Sequence, residues 1–405
     1  MTDHRPVELD DEPDTPDDQS NWTGLALVLG LLVILGIASP ASLAIVLAIV
    51  VFVFLNELGH YMTARWTGMK ATEFFIGFGP RVWSFKRGET TFGIKPILAG
   101  AYVRIIGMTN LEDVPLADEP RTYRQQSYPK RVLVASAGSA MHFIIAFVLF
   151  FISFGIIGLE REDEWTITEP SANSAAEVVG LQEGDRLVSL DGESTDTFNN
   201  LITVVAPRAG ETVALIVERD GQPLELTATI GSRENPAGET VGFLGVGAVY
   251  DPVRDSIPAA FWRTGVEYPD RIWDSLNGIG QFAKNIGGFV DRVFTSPGAE
   301  VQEADGSRPV SVIGVVQIGS QLGGSVIWLL AMFNVFIGVF NLLPLLPLDG
   351  GHIAIATYER LRSRNGDRYV LDVTKLLPLT YAVFAFLVFF GLGAVWLDIA
   401  NPITL

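Results

Sequence analysis

The sequence predicts an α-helical polytopic membrane protein with four to five transmembrane helices and one inserted, extracytoplasmic β-rich domain. Three observations carry this. Of 405 residues, 48% are hydrophobic, which suits a membrane protein better than a soluble one. The apolar residues cluster into the runs Gly24 to Ala38, Ala41 to Leu55, Val132 to Leu159, Ser325 to Leu346 and Leu376 to Leu397, near the roughly 20 residues that cross a bilayer. Between the third and fourth runs lies a long polar stretch with alternating, turn-punctuated segments, the pattern of strands.

The elements follow in order. Eight acids and little apolar content between Met1 and Ser20 predict a disordered acidic tail over residues 1–22. The run Gly24 to Ala38 has an acidic upstream flank, DDEPDTPDDQSN, where a signal peptide carries basic residues, so it reads as a first helix. Ser39-Pro40 separates it from the second. The loop His60 to Arg131 holds eleven basic residues and six acids, and Glu359 to Lys375 holds five and three. Both should be cytoplasmic, because cytoplasmic loops carry excess Lys and Arg. The segment Glu160 to Arg308 holds eleven basic residues and 26 acids and should lie outside. The predicted organisation is then a membrane domain over 23–158, a β-rich domain over 165–230, a linker with an amphipathic helix over 231–321 and a second membrane domain over 322–405.

Several function classes drop out on composition. There is no cysteine, hence no disulfide framework, thiolate metal site or cysteine nucleophile. A formal charge of -18 gives no electrostatic footing for nucleic acid. The lipid bilayer is the partner that the apolar runs demand.

The outer segment has its own pattern. SANSAAEVVGLQEGDRLVSLDGE predicts a small-residue helix (Ser174 to Val179), a strand Arg186 to Leu190 and a turn at Asp191-Gly192. TVALIVERDGQPLELTATI predicts two alternating strands joined by Asp220-Gly221, a strong hairpin signal. Trp165 to Ile230 resembles a PDZ domain of the kind found in envelope proteases, which binds an extended chain by adding it to an open sheet edge.

The chemistry starts at FLNELGHYMTAR, Phe54 to Arg65. Ionisable groups near the end of an apolar run are functional candidates. Positions 56 and 60 share a helix face one turn apart, the spacing at which two side chains chelate one Zn²⁺ while Glu57 points at its water. The other reading places Glu57 and His60 at headgroup level, where polar tips are cheap. A second cluster weighs against that reading. FNLLPLLPLDGGH, Phe340 to His352, ends an apolar run with two prolines and two glycines. Unwound backbone at membrane depth is tolerated only against protein or a water-lined cavity, and Asp349 sits inside it.

From about residue 41 to the C-terminus the chain resembles the site-2 protease family, intramembrane zinc metalloproteases with a PDZ insert. The resemblance rests on NELGH against the family's HExxH, on Gly77 to Met108, on AGSAMHF (Ala137 to Phe143), on the PDZ-like insert and on NLLPLLPLDGGH. It implies a Zn²⁺ cofactor held by His60 and Asp349, with Glu57 as general base. It also implies a membrane-associated β-hairpin within Gly77 to Met108, carrying Gly100 and Tyr102 and shaping substrate access. Asn341, Pro344 and Pro347 would contact the substrate strand. The implied substrates are single-span transmembrane proteins, anti-sigma-factor-like or signal-peptide remnants, cut in regulated intramembrane proteolysis at the plasma membrane.

Two departures stand out. Leu98-Ala99-Gly100-Ala101 replaces the frequent Pro-Leu-Gly-Gly, a mild change. Asn56 replaces the first histidine of HExxH, leaving a neutral amide where zinc favours imidazole. Of four histidines, His4 lies in the acidic tail, and His142 and His352 are the substitutes to test. The alternative to a working peptidase is a catalytically dead relative that binds and regulates membrane proteins. A transporter with broken helices fits less well, since no internal repeat is present.

Overall fold

The computed structural model describes residues 22–235, 238–295, 309–322, 325–363 and 368–402. The acidic tail predicted over 1–22 therefore lies outside the described residues but for its last. In chain order the chain forms α1 (Trp22–Ala38), α2 (Pro40–Thr67), strands β1 (Ala71–Phe78), β2 (Trp83–Arg87), β3 (Thr90–Ile94) and β4 (Ile97–Ile105), then α3 (Tyr128–Ile152). Next come β5 (Trp165–Ile167), α4 (Ala175–Val178), β6 (Arg186–Leu190), β7 (Glu193–Ser194), α5 (Phe198–Val205), β8 (Thr212–Arg219), β9 (Gln222–Thr229), β10 (Gly231–Glu234), β11 (Thr240–Phe243) and β12 (Ala248–Tyr250). Among the described residues six α-helices follow: α6 (Ile257–Lys284), α7 (Ile286–Phe294), α8 (Val312–Gln321), α9 (Val326–Asn341), α10 (Asp349–Arg362) and α11 (Leu377–Ala400). The chain divides into two compact units, one made of residues 1–149 with 267–405 and the other of residues 150–266.

Three helical stretches among the described residues are long and apolar enough to cross a membrane: Pro40–Thr67, Tyr128–Ile157 and Val373–Ala400. The shorter apolar helices are Thr23–Ala38, Val312–Gln321 and Val326–Asn341. The run Ser325 to Leu346 thus gives a helix of 16 residues, about 24 Å at 1.5 Å per residue. It stops at Asn341 because Pro344 and Pro347 have no N–H to continue the ladder. Helix α2 begins after Ser39, whose hydroxyl accepts the Ser42 N–H, and ends at Gly68 in the left-handed conformation (φ 85°), the two ends that its Ser-Pro and Thr-Gly sequences prescribe. Ile45, Ile49 and Phe52 of α2 pack with Ile145, Val315 and Leu330 in the apolar core.

Between α2 and α3 lies a four-stranded sheet of order β2-β3-β1-β4. The β2–β3 hairpin is part of it, β1 runs parallel to β3, and β4 runs antiparallel to β1 as an edge strand. The segment therefore holds a mixed sheet rather than a hairpin alone. Its register slips between Ile76 and Phe78, where Gly77 (φ 88°) brings its backbone so close to the Lys95 carbonyl that a Cβ would lie 2.5 Å from that oxygen. Aromatic edges tie the sheet to α2: Phe54 and Tyr61 meet Phe74 at 5.5 and 5.7 Å, and Tyr61 meets Phe92 at 5.5 Å.

The second unit is built on a four-stranded antiparallel sheet of order β7-β6-β8-β9. Asp220 and Gly221 take φ values of 50° and 74° and join β8 to β9 in full register from Thr212↔Thr229 to Arg219↔Gln222, as an Asp-Gly turn should. Inward alternation on β8 buries Val213, Leu215 and Val217 against Trp165, Leu187, Leu190, Leu201 and Ile230. Trp165 is buried in this core and satisfies its indole by donating to the Thr195 carbonyl at 3.2 Å. Asp185 closes one end, accepting two hydrogen bonds from Arg219 at 2.7 Å each and one from the Gln182 N–H at 2.9 Å.

Candidate metal centre

One stripe of α2 is buried throughout, but its chemistry changes halfway. Ile45, Ile49 and Phe52 give way at the same helical spacing to Asn56, His60, Thr63 and Thr67. The two threonines satisfy their hydroxyls within the helix, Thr63 donating to Gly59 O at 2.8 Å and Thr67 to Thr63 O at 2.7 Å. Asn56 and His60, each 8% exposed, reach outward instead.

His60 is oriented from α3. Its Nδ1 lies 2.8 Å from the Val134 carbonyl oxygen. That oxygen only accepts, so Nδ1 carries the proton in the neutral ring and Nε2 keeps a lone pair, the arrangement of metal-ligating histidines. Nε2 faces Asp349 Oδ2 at 3.3 Å. Asp349 is the first residue of α10, brought there by the non-helical stretch Leu342 to Leu348. Here the two glycines of the motif are needed for close packing. A Cβ at Gly350 would lie 2.2 Å from the Leu342 carbonyl oxygen, and one at Gly351 would lie 2.6 Å from the Leu346 nitrogen.

Glu57 is held by both oxygens. Oε1 accepts from Asn56 Nδ2 and Oε2 from the Val103 backbone N–H of β4, each at 2.9 Å. The amide nitrogen of Asn56 must face the carboxylate, since its oxygen would be repelled there. This turns Asn56 Oδ1 away, into a buried position without a hydrogen-bond donor. Asp349 Oδ2 is likewise buried without one. Gly138 supplies the remaining wall: a Cβ there would fall 2.2 Å from His60 Nε2 and 2.5 Å from Asn56 Oδ1.

The structure thus brings together Asn56, Glu57, His60 and Asp349 with the edge strand β4. The other two described histidines have partners elsewhere. His142 Nδ1 lies 2.8 Å from Asn334 Oδ1, linking α3 to α9, and the His352 ring stands edge-on to Tyr123 at 6.2 Å. Gly100 and Tyr102 lie on β4. A Cβ at Gly100 would fall 2.5 Å from the Phe78 ring, and the Tyr102 hydroxyl donates to Glu73 at 2.6 Å. Asn341 ends α9, and Pro344 and Pro347 occupy the turn before Asp349. Val134, Gly138 and Val103 escape sequence reasoning because they act through a carbonyl, an empty volume and an N–H, not through a side chain. Only the segment AGSAMHF, which contains Gly138, carried a signal.

Among the described residues no three His, Cys, Asp or Glu side chains form a ready ligand cluster; the third corner here is an amide. Two orphaned buried oxygens around an oriented imidazole still fit a divalent cation, with Asn56 as the weak donor.

An apolar helical chain carrying such a site defines a membrane metallopeptidase. Residues 44–388 match the family model of peptidase family M50, and the chain belongs to that family, the site-2 proteases. It is 33% identical to the zinc metalloprotease Rip1 of Mycolicibacterium smegmatis, over 89% of this chain and 97% of that protein. Identity and coverage are the same against Rip1 of Mycobacterium tuberculosis. The chain is a zinc metallopeptidase, and Zn²⁺ is its cofactor.

Proposed function

We propose that this chain is an intramembrane endopeptidase that cuts the transmembrane segments of single-span proteins in regulated proteolysis at the plasma membrane. One observation carries the reading: Asn56, Glu57, His60 and Asp349 converge where an apolar helix long enough to cross a membrane meets the edge strand β4. His60 and Asp349 would hold the zinc, with Asn56 Oδ1 as the third donor. When bound, the ion polarises the scissile carbonyl and lowers the pKa of water. Glu57 takes the proton of the attacking water and passes it to the leaving amine. The substrate helix must unwind first, because its amides are occupied by internal hydrogen bonds. β4, Gly100 and Tyr102 among its residues, pairs with the unwound strand, and Asn341, Pro344 and Pro347 line its other side. Residues 165–230 form a PDZ-like domain outside the membrane that filters substrates, and the shorter apolar helices α1 and α9 complete the spans.

Asn56 favours a second reading, a pseudoprotease that binds membrane proteins without cutting them. Zinc content and cleavage of a single-span substrate, measured for the chain and for Asn56→His, separate the two. Losing an outer-shell partner costs about 10–100-fold in affinity, and a directly bound ligand should cost at least that. The peptidase reading expects weak zinc binding and little cleavage for the chain as it stands, with both raised in Asn56→His. Zinc restored without cleavage would favour the pseudoprotease. Stoichiometric zinc and undiminished cleavage in the unaltered chain would mean that another residue completes the site.

A further inference from the structure

The two hydrogen bonds to Glu57 come from opposite sides of the site, and one of them belongs to a sheet edge. β4 is the outermost strand of the order β2-β3-β1-β4, with Val103 opposite Phe74 and Tyr102 opposite Phe75. In an antiparallel strand, the N–H and C=O of one residue point to the same side, and those of the next point to the other. Since the Val103 N–H reaches Glu57 Oε2, Val103 and Ala101 present their backbone groups outward, while Tyr102 and Arg104 turn theirs toward β1. A strand added to β4 would need that outward pair. Val103 has a single N–H, and the Glu57 carboxylate occupies it.

We propose that the Val103 N–H and the Glu57 carboxylate form a latch that the substrate strand opens: by taking the Val103 N–H for its own carbonyl, an added strand releases Glu57 Oε2 for proton transfer. This rests on the proposed strand addition to β4. In the resting chain Glu57 is clamped between Asn56 Nδ2 and Val103 N–H, and its carboxylate cannot rotate toward a water without giving up one of them. Strand binding removes the β4 side of the clamp, and the carboxylate stays tethered at Oε1, next to His60. Full use of the base is thereby confined to the moment when a strand lies on the edge. No covalent step is involved, only the exchange of one acceptor for another on one donor.

The test uses the full chain in detergent with EDTA, so that nothing is cut. The probe is an acetylated, amidated hexapeptide of alternating leucine and threonine. Binding is read by equilibrium dialysis, and the Glu57 carboxylate by infrared difference spectroscopy, its band assigned by its loss in Glu57→Gln. The latch expects the peptide to bind and the Glu57 band to shift. Val103→Pro, which removes the N–H at an edge position where proline is tolerated, should show the shifted band without peptide and bind the peptide more weakly. Val103→Ala, which keeps the N–H, should match the unaltered chain. Binding with an unmoved Glu57 band would overturn the latch and leave strand addition standing. Absence of binding would overturn both. If Val103→Pro fails to fold, the peptide titration of the unaltered chain decides alone.

Discussion

At the scale of single residues, the site combines groups that announce themselves with groups that do not. Glu57 and His60 are legible because charge in an apolar run is costly, and Asp349 because two prolines and two glycines mark a broken helix around it. Gly138 is not, because what it contributes is the absence of a side chain. Its importance is nonetheless the easiest to test. Gly138→Ala would set a methyl group 2.2 Å from His60 Nε2 and 2.5 Å from Asn56 Oδ1, distances that Cβ atoms essentially never show. Zinc binding measured on the purified variant should fall by at least the roughly 10–100-fold cost of disturbing a ligand's surroundings, while the helical circular-dichroism signal stays. Zinc content unchanged in Gly138→Ala would move the metal away from the Asn56–His60 face. Glu57→Gln makes the complementary point: with Asn56→His in the same chain, it should keep zinc and lose cleavage, since an amide cannot take the water's proton.

At the scale of elements, local signals served well and long-range pairing did not. The β8–β9 hairpin follows from Asp220-Gly221 and strict alternation, and α9 ends where the prolines require. The order β2-β3-β1-β4, with its parallel β1–β3 pair, is set by residues up to 34 positions apart, such as Ala71 and Ile105, and no periodicity announces it. The pair of buried Asp185 and half-buried Arg219 is another long-range product, joining the start of β6 to the end of β8. Burial raises the Asp185 pKa, but Arg219 and the Gln182 N–H together outweigh that and hold the carboxyl below its usual value. A depressed carboxylate pKa contributes stability above its unfolded value of about 3.9 and loses it as pH falls through the folded value. Hydrogen exchange at Leu187 and Val217 should therefore quicken as the pH is lowered below about 4, once corrected for the intrinsic rate. In Arg219→Ala those amides should already be less protected at pH 7. Equal protection in the two chains at pH 7 would show that the pair contributes nothing to the sheet.

At the scale of the whole molecule, the proposed division of labour makes two demands, one on topology and one on the insert. Basic loops predict that a reporter active only in the cytoplasm gives signal when fused after Met108 and none after Gly231; the reverse pattern would invert the orientation. The insert can be removed cleanly because of how its unit is built. Cutting at Trp165 and Ile230 would strand β12, which pairs with β5 through Ala248↔Ile167 and Tyr250↔Trp165. Leu159 and Val253, by contrast, exchange both backbone hydrogen bonds, at 3.2 and 3.1 Å, so their Cα atoms stand about 5.5 Å apart. Deleting residues 160–252 and joining these two through a short glycine linker removes every described strand of the second unit, β5 and β12 together. If that unit only filters substrates, the shortened chain with Asn56→His should cleave an already trimmed single-span substrate at least as fast as its full-length counterpart. It should also accept untrimmed substrate that the full-length chain rejects. Loss of all cleavage, with zinc still bound and the protein still inserted in the membrane, would mean that the second unit takes part in building the active site.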